Sequence, residues 1–280
     1  MKKWGKRLGF LLLVLLAFVG LGRIFSSSSG SPFGKALGVL EIEGTIWVSD
    51  DWLKQIDSFR TNPLIRGVVV RVNSPGGTVA ASQEIFESLK ALNKIKPVVV
   101  SMGTIAASGG LYVALGANKI FADPGTITGS IGVRMQHVDL GALLKFIKVE
   151  YETIKSGHFK DIGSFTRPLS PDEFAILEGL MKEIHEQFKA AIVSARGLKK
   201  DFVDSIADGR IFSGAKAKEF GLVDTLGGYD VAIQAAAQLA GIKGEPRLVF
   251  GNKAGVWWVK ALFGQAKAAL SGPLAFYSYP

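Results

Sequence analysis

The spacing of apolar and polar residues changes several times along the chain, and each change predicts an element. Val39–Ile46 alternates as V-L-E-I-E-G-T-I, the period of a half-buried strand. Gly67–Val72 and Pro97–Met102 are short, β-branched and almost continuously apolar. Such runs suit strands buried on both faces of a parallel sheet. Between them, Val79–Leu92 places Ile85, Phe86, Leu89 and Leu92 on one helical face. A helix at Gly109–Gly116 and a short strand at Lys119–Ala122 follow. The order β-α-β-α-β predicts an α/β fold.

Ser170-Pro171-Asp172-Glu173 is a helix start: a serine cap, a proline at the first helical position and a glutamate that completes a capping box. From there Phe174, Leu177, Met181, Ile184, Phe188, Ile192 and Ala195 recur at three- and four-residue steps to about Arg196, predicting one long core or interface helix. Further helices are expected at 200–207, 213–220 and 229–240. Residues 36–242 thus read as one domain. Residues 243–280 form a C-terminal extension of different character. Within it Val256–Leu270 carries Trp257, Trp258, Leu262 and Phe263 beside Lys260 and Lys267. That pattern suits a membrane surface, a neighbouring subunit or a terminal packing helix equally.

The N-terminus has its own pattern. Basic residues at 2–7 precede an apolar run from Leu8 to Gly22, then Ser26–Pro32, polar and small. This is the layout of an export signal. The run alone is short of the roughly 17–25 residues of a span. Extension to Phe25 reaches that length, with Lys6, Arg7 and Arg23 snorkelling to the interfaces. An uncleaved anchor over 1–25 is favoured over a cleaved signal, followed by a flexible linker over 26–35. The positive-inside rule then leaves the N-terminus in the cytoplasm and the remainder outside.

Charge adds little once divided. The chain has 33 Lys+Arg against 24 Asp+Glu, a net +9. Lys2, Lys3, Lys6, Arg7 and Arg23 fall in the first 25 residues, which hold no acid, so the body is only mildly basic. That is a poor case for nucleic acid. Cysteine is absent, which removes disulfides, thiolate metal sites and cysteine nucleophiles. No H-E-x-x-H, G-x-x-x-x-G-K-[ST] or G-x-G-x-x-G occurs, so no metal or nucleotide cofactor is expected.

The 34 glycines fall in clusters. Two clusters follow predicted strands: Asn73-Ser74-Pro75-Gly76-Gly77-Thr78 and Ala106-Ala107-Ser108-Gly109-Gly110. Glycine turns let backbone N–H groups face a ligand, and paired N–H groups can hold an oxyanion. They also serve as plain turns. Ser108 opens a predicted helix, where a hydroxyl could attack a carbonyl. A serine nucleophile needs a base. Histidine is restricted to His137, His158 and His185, and no local feature singles one out. A buried lysine is the alternative, and composition does not choose among the lysines.

Gly103-Thr104-Ile105-Ala106-Ala107-Ser108-Gly109-Gly110-Leu111-Tyr112 resembles the nucleophile motif of the bacterial signal peptide peptidase A family, short membrane-anchored form. Val72-Asn73-Ser74-Pro75-Gly76-Gly77 is similar to its oxyanion loop. Gly125–Val133 and Ser156–Ser164 resemble its two later motifs. The likeness extends from about Val39 to Gly241, plus the anchor. It implies an α/β fold of the ClpP/crotonase β-β-α spiral type, preceded by one membrane segment, with residues 36–242 as the catalytic domain. It implies Ser108 as nucleophile, Lys160 as general base and Ser130 as the hydroxyl that orients the lysine. Gly76 and Gly109, with Gly77 beside them, are the expected oxyanion hole. The expected activity is that of a Ser-Lys endopeptidase degrading remnant signal peptides, without cofactor. Expected partners are hydrophobic peptides, membrane lipid through residues 8–25, and further copies of the chain in a ring. The expected location is a bacterial cell membrane, with the catalytic domain on its outer side. The competing readings are a crotonase-type acyl-CoA enzyme, which an export signal disfavours, and a catalytically idle membrane scaffold, which retention of both Ser108 and Lys160 disfavours.

Overall fold

The computed structural model describes residues 35–251 and, as backbone, residues 276–278. The expected anchor, nearly all of the linker, and the Val256–Leu270 segment lie outside the described residues.

The centre is a sheet of parallel strands. β1 (Ala36–Glu43) pairs with β2 (Ile65–Ser74), and β2 with β4 (Val98–Ala107). β3 (Gly76–Thr78) branches off after β2. β5 (Lys119–Ala122) and β6 (Ile127–Gly129) both pair with successive parts of β4. β7 (Ile211–Ser213) closes the β6 side in antiparallel sense. β8 (Thr225–Leu226) pairs with β5, and β9 (Arg247–Phe250) with the outer edge of β1. The strand order is β7-β6-β4-β2-β1-β9. The sheet therefore reaches beyond Ile242, into the stretch expected to be an extension.

Helices cover both faces, as the continuous apolar strands required. On one face Val68, Val70, Val72, Val98, Val100 and Met102 meet α1 (Asp50–Thr61), α2 (Val79–Asn93), α3 (Gly109–Ala114) and α5 (Pro171–Arg196). On the other, Leu37, Val69, Val99 and Phe121 meet Ala232, Ala236 and Ala237 of α8 (Tyr229–Leu239). Alternate valines of one strand thus enter opposite cores. The remaining helices are α4 (Gly141–Phe146), α6 (Lys200–Ile206) and α7 (Gly214–Glu219).

Several boundaries differ from the sequence expectation. β1 starts and stops three residues earlier, because Gly44 turns the chain at φ +70°. Ile46 then forms a separate bridge to Gly77. α1 was not expected, although Asp50 and Asp51 in its first turn and buried Ile56 and Phe59 mark it. α5 begins with the expected capping box: Glu173 N donates to Ser170 Oγ (3.2 Å), and Ser170 N donates to Glu173 Oε2 (2.8 Å). Its apolar face is buried only in the second half, at Phe188 and Ile192. Phe174, Ile176 and Leu180 are exposed.

Candidate active site

The geometry of the site begins with a shift of register. β2 and β4 run in step from Val68↔Val98 to Val72↔Met102, and then Ser74 faces Ala106. The extra β4 residues bulge out and re-aim the strand end. The Asn73 Oδ1 accepts from Ile105 N (3.2 Å) and fixes the bulge. Beyond it, Ala106↔Thr128 and Ala107↔Gly129 continue the pairing with β6. The two strand ends therefore carry Ser108 and Ser130 to neighbouring positions.

Both serines hold unusual backbone. Ser108 has φ 53° and ψ −116°, and Ser130 has φ 51°. An L-residue held there costs on the order of 1–3 kcal/mol and persists only where its surroundings impose it. They do so at Ser108: its N–H donates to Gly129 O (2.8 Å), and its carbonyl accepts from Tyr112 N (2.9 Å). Tyr112 is itself wedged between Phe86 (5.2 Å, edge-on) and Phe188 (4.8 Å). Ser130 N donates to Arg210 O (2.8 Å).

The Ser108 side chain is fully buried, and its Oγ has no hydrogen-bond partner. A buried, unpaired hydroxyl costs about 1–3 kcal/mol. Strain and an orphan hydroxyl thus coincide at one residue, and each costs stability.

The two glycine turns close around this serine. A Cβ on Gly109 would fall 3.1 Å from Gly77 N and 3.2 Å from Gly76 Cα. One on Gly110 would fall 2.7 Å from Ser74 O, and one on Gly77 only 2.0 Å from Ile46 O. Main chains meet here with no room for side chains. Gly76 N donates to Ser74 Oγ (3.1 Å). Gly76 and Gly77 both lie against Gly109.

Lys160 makes no hydrogen bond to Ser108, whose Oγ is unpartnered. The lysine is exposed, on a turn in which Lys160 N donates to Gly157 O (3.1 Å). Its neighbour Asp161 pairs with Lys155 (2.5 Å) and Arg167 (3.0 Å), not with Lys160. The Lys155 hydrogen bond, then that of Arg167, holds the Asp161 carboxyl below its ordinary range. Arg167 also grips buried Glu173 with two bonds (2.6 and 2.7 Å). That grip and the Ser170 backbone N–H hold the Glu173 carboxyl at about 2. The turn carrying Lys160 is thereby tied to the start of α5. Sequence reading missed this clamp, although the Glu173 capping box was its visible half.

A stability prediction follows from Glu173. A depressed carboxyl contributes stability that is complete above its unfolded value, near 4.3, and is lost as pH falls towards about 2. The melting temperature should drop across that window. Glu173→Gln should lower the melting temperature at pH 7 and flatten the acid limb; thermal melts from pH 7 to 2 measure both. An unchanged acid limb would remove Glu173 from the clamp.

The histidines do not meet Ser108. His137 Nε2 lies 3.3 Å from Arg167 O, and the His158 ring packs on Phe159 at 4.6 Å. His185 Nε2 is buried and unpartnered.

A helix-covered parallel sheet with a strained serine at a strand end, facing a glycine strand, defines a class of ClpP-like folds, and the Clp protease pattern matches residues 41–126. The pattern of peptidase family S49 matches residues 90–243, more than half of the chain and inclusive of Ser108, Ser130 and Lys160. The chain belongs to peptidase family S49. The Synechocystis sp. protein slr0021 is 49% identical over 175 residues, covering 62% of this chain and 63% of that one. The chloroplastic serine protease SPPA of Arabidopsis thaliana is 33% identical over 224 residues, 80% of this chain and 33% of that protein. Protease 4 of Salmonella typhi is 39% identical over 195 residues, 69% and 31%. The chain spans less than two thirds of each of these relatives.

Proposed function

We propose that the protein is a serine endopeptidase using Ser108 as nucleophile and Lys160 as general base. The observation that carries this reading is the buried, unpartnered Ser108 hydroxyl on strained backbone, with Gly77 and Gly109 packed against each other beside it. Ser108 Oγ attacks the scissile carbonyl and its proton passes to the free amine of Lys160. The Gly76 N–H, expected to serve the oxyanion with that of Gly109, donates to Ser74 Oγ (3.1 Å), so the Gly77 N–H beside it takes that place and the new oxyanion accepts from Gly77 and Gly109. The lysine returns the proton to the leaving amine. Water then releases the acyl group by the reverse sequence.

Lys160 is exposed in the single chain, and a lysine serves as base only as a free amine. Its segment is rich in exposed apolar side chains. Phe146 is 84% exposed and Ile154 96%, and Leu143, Tyr151, Phe159 and Phe165 join them. Patches of this kind usually mark interfaces. This supports the ring-like homo-oligomer: burial against a further copy would dry the lysine as it meets a serine. The basic, apolar N-terminal run supports a single-pass anchor through residues 8–25, with the catalytic domain outside the bacterial cell membrane. A site beside the bilayer suits hydrophobic peptides, remnant signal peptides among them.

A fluorophosphonate probe tests the class. It should add its mass to Ser108 and to no other residue. A folded chain that stays unlabelled would leave the acyl-CoA enzyme and the idle scaffold as the surviving readings.

Ser130 is the positioning residue. Ser130→Ala should lower kcat ~10- to 100-fold, part of the ~10²–10⁴ that positioned proton transfer supplies. KM should stay level. A mere turn serine predicts an unchanged kcat.

A further inference from the structure

The bulge that turns β4 towards Ser108 leaves main-chain groups without a strand partner. Val72 faces Met102 and Ser74 faces Ala106, so Gly103, Thr104 and Ile105 of β4 lie opposite Asn73 alone. Main-chain groups set free in this way need hydrogen bonds from elsewhere. Side chains supply them at three points. Arg71 Nη1 donates to Met102 O (3.1 Å) and to Ser101 Oγ (2.7 Å). Thr126 Oγ1 donates to Gly103 O (2.8 Å). Asn73 Oδ1 accepts from Ile105 N (3.2 Å). The contacts thus run from the residue before the bulge to the last residue in it.

The parts are fitted to one another. A Cβ on Gly103 would lie 3.0 Å from Asn73 Oδ1, so glycine leaves the space in which that side chain folds back over the bulge. Thr126 is buried, where water does not replace its bond. Arg71 is held in turn: its guanidinium stands 5.5 Å from the ring centre of Tyr229, the first residue of α8. Arg71 and Asn73 share the face of β2 that Val69 presents to α8, whereas α3, which follows Ser108, packs on the other face. Both therefore grip the strand end from the side away from α3.

We infer that Arg71, Asn73 and Thr126 are positioning residues: a three-point clasp that holds the β4 bulge in one shape and so sets where Ser108 and the Gly109 N–H stand. None of them bonds to the Ser108 hydroxyl, which is unpartnered. Between Ile105 and Ser108 lie only Ala106 and Ala107, both paired to β6. A displacement of the bulge is passed along this short paired stretch with little room to relax. A shift of about 1 Å in a reacting group can cost about 10²-fold in rate. The effect on catalysis rests on the proposed peptidase function, but the hold on the bulge does not.

The test sets each loss beside a conservative replacement. Asn73→Leu removes the acceptor and Asn73→Asp keeps one. Thr126→Val removes the hydroxyl and Thr126→Ser keeps it. Arg71→Met removes the donor. Rates of the full-length protein on a fluorogenic apolar peptide are expressed per folded chain, the folded fraction coming from circular dichroism. Asn73→Leu, Thr126→Val and Arg71→Met should each lower kcat ~10-fold or more, with KM within ~2-fold and the alkaline rise of the rate at its wild-type pH. Asn73→Asp and Thr126→Ser should keep kcat within ~3-fold of wild type. Residues needed only for folding would change the folded fraction and leave the rate per folded chain unaltered. The Ser108 amide, which donates to Gly129 O, should exchange hydrogen faster in the first three variants and at the wild-type rate in the two conservative ones. Wild-type kcat in the first three, or an equal loss in the conservative pair, overturns the inference. If the wild type hydrolyses no peptide, the peptidase reading falls and the Ser108 amide alone decides the clasp. Faster exchange in Asn73→Leu and Thr126→Val then sustains it, and unchanged exchange overturns it.

Discussion

Ser108→Ala should abolish peptide hydrolysis, with a loss on the order of 10⁴-fold or more, and should leave a chain at least as stable as the wild type. The size of the loss follows from removing a nucleophile, which sacrifices the whole covalent route and leaves only binding and oxyanion stabilisation. The sign of the stability change follows from the site. The Ser108 hydroxyl is buried without a partner, so the fold gives up its hydration and gains no bond. Alanine removes that cost and keeps the backbone contacts to Gly129 and Tyr112. The melting temperature should rise by a few degrees, the usual relation between a functional site and stability. Calorimetry beside a fluorogenic apolar peptide assay measures both. A variant clearly less stable than wild type would mean that the hydroxyl has a structural partner. A variant that keeps activity would end its role as nucleophile.

Lys160→Ala should lower kcat at least ~10³-fold, and Lys160→Arg should fare no better, because a guanidinium does not give up its proton near neutral pH. His137, His158 and His185 should each be replaceable with substantial activity retained. His137 and His158 have contacts away from Ser108, and His185 lies in the second half of α5. Wild-type activity should rise towards alkaline pH, since only the free amine accepts a proton. Assays from pH 6 to 10 on the intact, assembled protein test this. A histidine variant that assembles but is dead would restore a Ser-His mechanism.

How far the chain could be read depended on what each segment does with its two sides. β2, β4 and β5 are buried on both faces, so their apolar runs are unbroken and unambiguous. α2 and α8 bury one face and expose the other, which leaves a helical period in the residue order. α5 carries its start in Ser170–Glu173 and its end in Gly197, at φ +65°. These are local determinants, and they were legible. β3, β6, β7 and β8 have only two or three residues each. No period fits in so short a stretch. They exist because neighbouring main chains supply hydrogen bonds, which residue order does not record.

The same division runs through the site. The four motifs single out Ser108, Ser130, Lys160 and the glycines as residue types in order. The left-handed backbone of Ser108 and Ser130 arises only once β4 has bulged and β6 has paired with its end. The clamp of Asp161, Arg167 and Glu173 joins residues whose charges look like ordinary solvated ones in the sequence. The alignment of the C-terminal segment with Gly76–Thr78 joins parts of the chain that no local pattern relates. Period and capping are short-range and survive in the order of residues. Backbone strain, an orphan hydroxyl and a borrowed strand are long-range, because each exists only where the folded chain brings distant main-chain groups within a hydrogen bond of one another.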